Sequence, residues 1–262
     1  MNLSDTHNHF YTDAFDEDRD YVVQRAVEQG VKRFFLPNID SGYTDRLVQM
    51  NQKYPDLTFP MMGLHPCSVK EDYREELKRI ENDLFNPSRL GDITWFGVGE
   101  IGLDLYWDKS FFAQQQEAFR VQCEWAKELG LPIIIHVREA FDEIFDLVDE
   151  LNDDRLFGIF HCFTGNEAQA QHILEYGGFK LGIGGVLTFK NSGLDKVVKN
   201  ISLEHLVLET DSPYLAPHPY RGKRNEPSYT SIVAQKLADI KEVDISVVAE
   251  QTERNTNEIF RL

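Results

Sequence analysis

Near the N-terminus, in Leu3-Ser4-Asp5-Thr6-His7-Asn8-His9-Phe10, two histidines stand two residues apart. Residues i and i+2 of a β-strand share a face, whereas side chains three or four apart meet on a helix. His7-x-His9 therefore works as a metal claw only at a strand end, and imidazole is the commonest protein metal ligand. Alone, the pair reads equally well as two unrelated polar residues. What changes the reading is that further ligand-type residues follow later apolar runs. His65 follows Phe59 to Leu64, Glu100 closes the run from Trp95, and His136 closes the run from Pro132. His161 closes the run from Leu156, and Asp211 the run from His205. Five of the eight histidines and two carboxylates thus sit where strands are expected to end.

Four imidazoles (His7, His9, His136, His161) and two carboxylates (Glu100, Asp211) exceed the set that one tetrahedral ion takes. The count predicts two divalent ions with a carboxylate bridging them. Glu100 is the expected bridge, because it stands between the ligands of the first strand and those of the fifth and sixth. Two ions ~3.5–4 Å apart stabilise both the attacking and the leaving oxygen of an in-line displacement. No Gly-x-Ser-x-Gly elbow offers a covalent nucleophile, and strand alternation would turn Cys162 away from the face of His161. A metal-activated water, bound as hydroxide, is the expected nucleophile.

Converging these residues requires the right elements. With the first strand, the runs 32–37, 59–64, 95–100, 132–136, 156–161, 178–183 and 205–211 make eight. Continuous apolar runs of this length fit parallel strands buried on both faces. Helical stripes separate them, such as Phe119, Cys123, Ala126 and Leu129, or Phe141, Ile144, Phe145, Val148 and Leu151. Strand and helix alternating eight times predict a single α/β domain over residues 1–262, a (β/α)8 TIM barrel whose active site lies at the C-terminal strand ends. The alternative, an open doubly wound sheet, lacks a Gly-x-Gly-x-x-Gly after the first strand. Two closing helices are expected at about Ser228–Val243 and Ser246–Phe260.

Twenty-seven basic against 44 acidic residues give a net charge of −17, which argues against a broad basic face coating duplex nucleic acid. It leaves room for a nuclease whose cations are bound metals. No apolar run approaches the ~20 residues of a membrane span, and the first residues lack signal-peptide character. Three widely spaced cysteines, Cys67, Cys123 and Cys162, suggest no disulfide framework and fit a reducing, cytoplasmic setting.

Seven short motifs stand in order along the chain: Asp5-Thr6-His7-Asn8-His9, Gly63-Leu64-His65-Pro66, Gly99 to Asp104, Leu131 to His136, His161-Cys162-Phe163-Thr164-Gly165, Glu209 to Tyr214 and Arg221 to Pro227. Together they resemble the TatD family of metal-dependent deoxyribonucleases in the amidohydrolase superfamily. One departure is Val137, where the family often has Ser after the strand-five histidine. The resemblance implies metal-dependent phosphodiester hydrolysis with Mg2+ or Mn2+, whereas four imidazoles alone also suit Zn2+. It implies that His7 and His9 hold one ion with Glu100 and Asp211, and that Glu100, His136 and His161 hold the other. Asp211 would take the proton of the attacking water. His65 would face the phosphate or the leaving oxygen, and Glu209 would support rather than ligate. Arg138, Arg221, Lys223 and Arg224 would meet phosphates, or else be solvated cations. Tyr106 and Trp107 would stack on bases, or else simply pack. The expected substrate is single-stranded or end-frayed DNA, cut from an end, because acidic helices would repel a long duplex. No membrane and no obligate protein partner is expected. The alternative on the same binuclear site is a small-molecule amidohydrolase, lactonase or phosphoesterase. A metal-binding scaffold without turnover fits the complete ligand set less well.

Overall fold

The computed structural model describes residues 1–262. Eight strands alternate with helices: β1 Leu3–Asp5, β2 Val31–Pro37, β3 Thr58–Met61, β4 Val98–Asp104, β5 Ile133–Arg138, β6 Gly158–Phe160, β7 Phe179–Ile183 and β8 Leu206–Leu208. The helices are α1 Arg19–Glu28, α2 Thr44–Lys53, α3 Tyr73–Phe85, α4 Phe112–Leu129, α5 Phe141–Leu151, α6 Glu167–Glu175, α7 Leu194–Asn200, α8 Thr230–Lys241 and α9 Ile245–Phe260. All pairings are parallel, in the orders β1-β2-β3 and β4-β5-β6-β7-β8. The two seams close through a Met62–Val98 bridge and an Asn8–Ser212 bridge. The second seam is extended by the Thr6 amide on the Leu208 carbonyl at 2.9 Å. The result is a (β/α)8 barrel, and no helix is long and apolar enough to cross a membrane.

Alternation along the strands divides the barrel interior into layers. Phe35, Met61, Ile134, Ile159 and Val207 form an apolar plug, closed from below by Ile259 and Phe260 at the end of α9. The Phe35 and Phe260 rings stack at 3.9 Å. Two residues further along the same strands the inward position turns polar: His136 after Ile134, His161 after Ile159, Glu209 after Val207. A two-residue period thus lifts the ligands one layer above a dry floor. The larger core, 58 buried residues, fills the space between barrel and helices.

Several element ends differ from the sequence expectation. β4 runs on to Asp104 and β5 to Arg138, which pair with each other, so Glu100 and His136 lie inside strands rather than at their ends. One polar ligand interrupts each run, but apolar residues resume beyond it, Ile101 and Leu103 in β4 and Val137 in β5. β1 and β8 are short, yet ladder bonds continue past them and past β6: the His161 amide bonds the Ile135 carbonyl at 3.0 Å and the Glu209 amide the Ile183 carbonyl at 3.1 Å. Leu129 is exposed at the last turn of α4, before the left-handed Gly130.

Between Glu100 and Asp104, Gly102 has φ +144°, and a Cβ there would lie 2.0 Å from the His136 carbonyl oxygen. Gly102→Ala is therefore expected to lower stability by at least about 2 kcal/mol in urea unfolding. A smaller loss would mean that β5 can move aside.

Candidate metal centre

Glu100 is 2 % exposed, and its two oxygens face different partners. Oε2 lies 3.1 Å from His7 Nε2 and 3.3 Å from His9 Nε2. Oε1 lies 2.7 Å from His136 Nδ1, 3.1 Å from His161 Nε2 and 3.3 Å from His65 Nε2. Asp211 Oδ1 completes the first side at 3.8 Å from His7 Nε2 and 3.7 Å from His9 Nε2. The strand-one pair and the strand-five and strand-six histidines are thus sorted onto opposite oxygens of one carboxylate.

Which nitrogen of each ring is free follows from what the other one does. His9 Nδ1 meets the Tyr11 hydroxyl at 3.2 Å, and that hydroxyl donates to the Pro37 carbonyl at 2.6 Å. The hydroxyl is then the acceptor from His9 Nδ1–H, which leaves Nε2 a lone pair facing inward. His136 Nε2 lies 3.0 Å from Asp104 Oδ2, and His161 Nδ1 lies 3.2 Å from Glu209 Oε1. Each outer nitrogen donates to a carboxylate, so in the neutral rings His136 Nδ1 and His161 Nε2 also present lone pairs to Glu100. His7 Nε2 lies 3.1 Å from His9 Nε2, and His7 Nδ1 is buried without a partner. Imidazole lone pairs converging on a carboxylate repel unless protons or cations lie between them. This donor set fits divalent ions on both sides of Glu100. His65 is different: its Nδ1 accepts from the Cys67 amide at 3.0 Å, so its proton sits on Nε2 and points into the site as a donor.

The electrostatics follow the same geometry. Burial raises the Glu100 pKa, but His65, His7 and His161 outweigh it and hold the carboxyl well below its usual range. Burial, with the charges of Glu100 and Glu209, pushes the Asp211 carboxyl up to about 6 against the pull of His161 and His9. Burial and the His161 ring hold the His7 pKa well below the usual imidazole value.

Several contributors escape sequence reading. Asp104 shares the inward face with Glu100, four residues along β4, and is invisible if the strand stops at Glu100. Asp5 is fully buried and takes the Thr210 amide at 2.8 Å and the Thr210 hydroxyl at 2.6 Å, which fixes the backbone beside Asp211. Glu209, expected as support, accepts the Cys162 amide at 2.5 Å, and its other oxygen lies where a Gly182 Cβ would approach to 2.1 Å. Cys162 does not alternate away as expected. Its left-handed backbone (φ 44°) places it near Asp211, Glu209 and Glu100, and burial and those charges push its thiol pKa well up.

At the rim, Arg138 lies 3.8 Å over the Tyr106 ring, and Arg221 lies 3.6 Å over Phe189. Lys223 is exposed in the β8–α8 loop. Arg224, expected near phosphates, is instead tied to Asp18 at 2.7 and 2.8 Å and bonds the Ala14 carbonyl, strapping that loop to the start of α1.

A family profile described as TatD related DNase matches residues 4–261. A Bacillus subtilis protein, the metal-dependent hydrolase YabD, is 38 % identical over 261 residues, 99 % of each chain. A Pectobacterium parmentieri protein, the 3'-5' ssDNA/RNA exonuclease TatD, is 29 % identical over 257 residues, 95 % of each chain. The crystal structure of YjjV, a TatD homologue from Escherichia coli K12, superposes with a TM-score of 0.90 at 28 % identity, covering 99 % of this chain and 98 % of that one.

Asp104→Asn keeps an acceptor for the loop amides but turns an N–H toward His136 Nε2. The ring proton must then move to Nδ1, the nitrogen facing Glu100. Divalent-ion affinity is expected to fall about 10- to 100-fold by titration calorimetry. Unchanged affinity would mean that Asp104 does not set the orientation of His136.

Proposed function

The chain belongs to the TatD family of metal-dependent hydrolases, and from that premise we propose that it hydrolyses phosphodiester bonds at the ends of single-stranded or frayed DNA. The observation that carries the reading is the division of Glu100: one oxygen toward His7 and His9, the other toward His136 and His161. In this reading His7, His9, Asp211 and Glu100 would hold one divalent ion, and Glu100, His136 and His161 would hold a second. Mg2+ or Mn2+ suits a phosphodiester substrate, and the imidazoles also admit Zn2+. Such ions would acidify a water and draw charge from the phosphodiester oxygens.

The remaining work falls to the side chains. Asp211, whose carboxyl burial raises to about 6, would take the proton of the attacking water. His65 Nε2–H would donate to a phosphate or leaving oxygen. Arg138 and Lys223, which have no carboxylate partners, and Arg221 would hold phosphates beyond the scissile one. The name of the Pectobacterium relative, a 3'-5' exonuclease of single-stranded DNA and RNA, supports an end-directed reaction on one strand. The competing reading keeps the same ions and proton acceptor but gives the mouth a small ester, amide or lactone.

Two experiments test this. Glu100→Ala should abolish hydrolysis and lower the metal content of both positions, and two ions per chain by elemental analysis would exclude a bridging role. Metal-depleted protein, supplied in turn with Mg2+, Mn2+ and Zn2+, should shorten an end-labelled single strand stepwise while leaving a covalently closed circular duplex intact. Rapid cutting of the circle would make the enzyme an endonuclease. Turnover of small esters with none on either DNA would favour the small-molecule reading.

A further inference from the structure

Most arginines of this acidic chain are ion-paired, for example Arg25 with Glu226, Arg46 with Asp16, Arg74 with Glu117 and Arg120 with Glu150. Arg138 is not. Two residues beyond His136 on β5, its guanidinium lies 3.8 Å over the Tyr106 ring and 5.3 Å from the Trp107 ring. A guanidinium laid flat on an aromatic face keeps its N–H edge free for a phosphate. Trp107 is 69 % exposed and Tyr106 48 %, whereas the other two tryptophans, Trp95 and Trp125, are buried. The Tyr106 and Trp107 rings meet edge to face at 4.8 Å, and most of the Trp107 surface stays in water.

This cluster is held rigidly beside the metal centre. Asp104 Oδ1 accepts the Tyr106 amide at 3.0 Å and the Trp107 amide at 3.2 Å, while Oδ2 meets His136 Nε2. Gln115 grips the Asp104 backbone from both sides, accepting its N–H at 2.9 Å and donating to its carbonyl at 3.2 Å. One carboxylate therefore fixes both a ring that faces Glu100 and the turn that presents Trp107. A large aromatic fixed in water is preorganised for a flat partner, because little of its freedom remains to be lost on binding.

We propose that Trp107 is a nucleobase-stacking subsite, with Arg138 holding the phosphate between the stacked base and the metal centre. The assignment rests on the phosphodiesterase reading above and gives it a substrate class: a single strand whose base is splayed out. A base paired inside a duplex has no free face to offer. Stacking accepts any base, so the subsite selects strandedness rather than sequence.

The test uses the metal-loaded enzyme and a hydrolysis-resistant phosphorothioate oligodeoxyadenylate. A second strand of the same length is abasic at its 3' end, and the natural phosphodiester strand serves as substrate. The intact strand should quench the emission of Trp107, and should bind about tenfold more tightly than the abasic strand. Trp107→Phe should lose the quenching while Trp95 and Trp125 still emit, and Trp107→Ala should bind the two strands equally. Equal binding of both strands to the unaltered enzyme without quenching, while the phosphodiester strand is still shortened, would overturn the subsite and leave the nuclease reading standing. No binding of either strand and no cutting would overturn both.

Discussion

Everything above the floor of this barrel depends on one buried carboxylate and the nitrogens turned toward it. An isolated charge removed from water carries a large desolvation cost, and it persists only where opposite charge or strong hydrogen bonds compensate. Glu100 is 2 % exposed, and five ring nitrogens lie within 3.3 Å of its oxygens. His65 is wired to donate a proton, and His7, whose Nδ1 has no partner, is free to; in their neutral forms His9, His136 and His161 have committed theirs elsewhere. Divalent cations held beside its oxygens would satisfy the carboxylate and the lone pairs at once. The outer acceptors, the Tyr11 hydroxyl, Asp104 and Glu209, therefore do more than pack: by taking the outer proton they decide what the inner nitrogen can be.

That demand fixes the rest of the architecture. Parallel strands bring His136, His161 and Glu209 to one level because each stands two residues beyond an apolar plug residue. The plug keeps water out from below, so screening inside is weak and small displacements are felt. Gly102 and Gly182 mark where the packing is tightest. At Gly102 the neighbouring strand's backbone leaves no room for a Cβ, and at Gly182 the Glu209 carboxylate fills the space. A barrel built from side-chain layers can hold polar groups this closely only if its backbone yields no slack.

Much of this was legible in the sequence, and for a physical reason. Period-two placement after apolar runs is a local property, so His136, His161 and Asp211 were readable one strand at a time, and eight such runs implied the barrel. What was not legible depends on where the ladder ends and on contacts made across it. Asp104 was hidden because β4 continues past Glu100, where the apolar run is expected to close, held by pairing with β5. Cys162 broke the alternation rule because its backbone is left-handed at the step where β6 gives way to its loop. Arg224 looked like a third rim cation beside Arg221 and Lys223, yet Asp18, distant in sequence, takes it. No spacing rule shows which of several neighbouring cations has a partner elsewhere.

The same partnering logic explains how a chain of net charge −17 can offer a cationic mouth. A guanidinium paired with a carboxylate has spent its donors, whereas one stacked on a ring has spent only its face. Arg138 on Tyr106 is of the second kind, and Arg221 on Phe189 spends in addition one N–H on the Ala216 carbonyl at 3.3 Å. Both sit in segments on the mouth side, at the end of β5 and after β8, while paired cations such as Arg46, Arg74 and Arg120 sit on the helical exterior. The exterior is left to its acidic excess, which repels an approaching polyanion along most of its length. Within about a Debye length, ~8 Å at physiological salt, the field near the mouth is set by the local free cations rather than by the net charge. A narrow anionic strand can satisfy the few donors exposed there. A broad duplex must bring its flanking phosphates against the acidic helices at the same time.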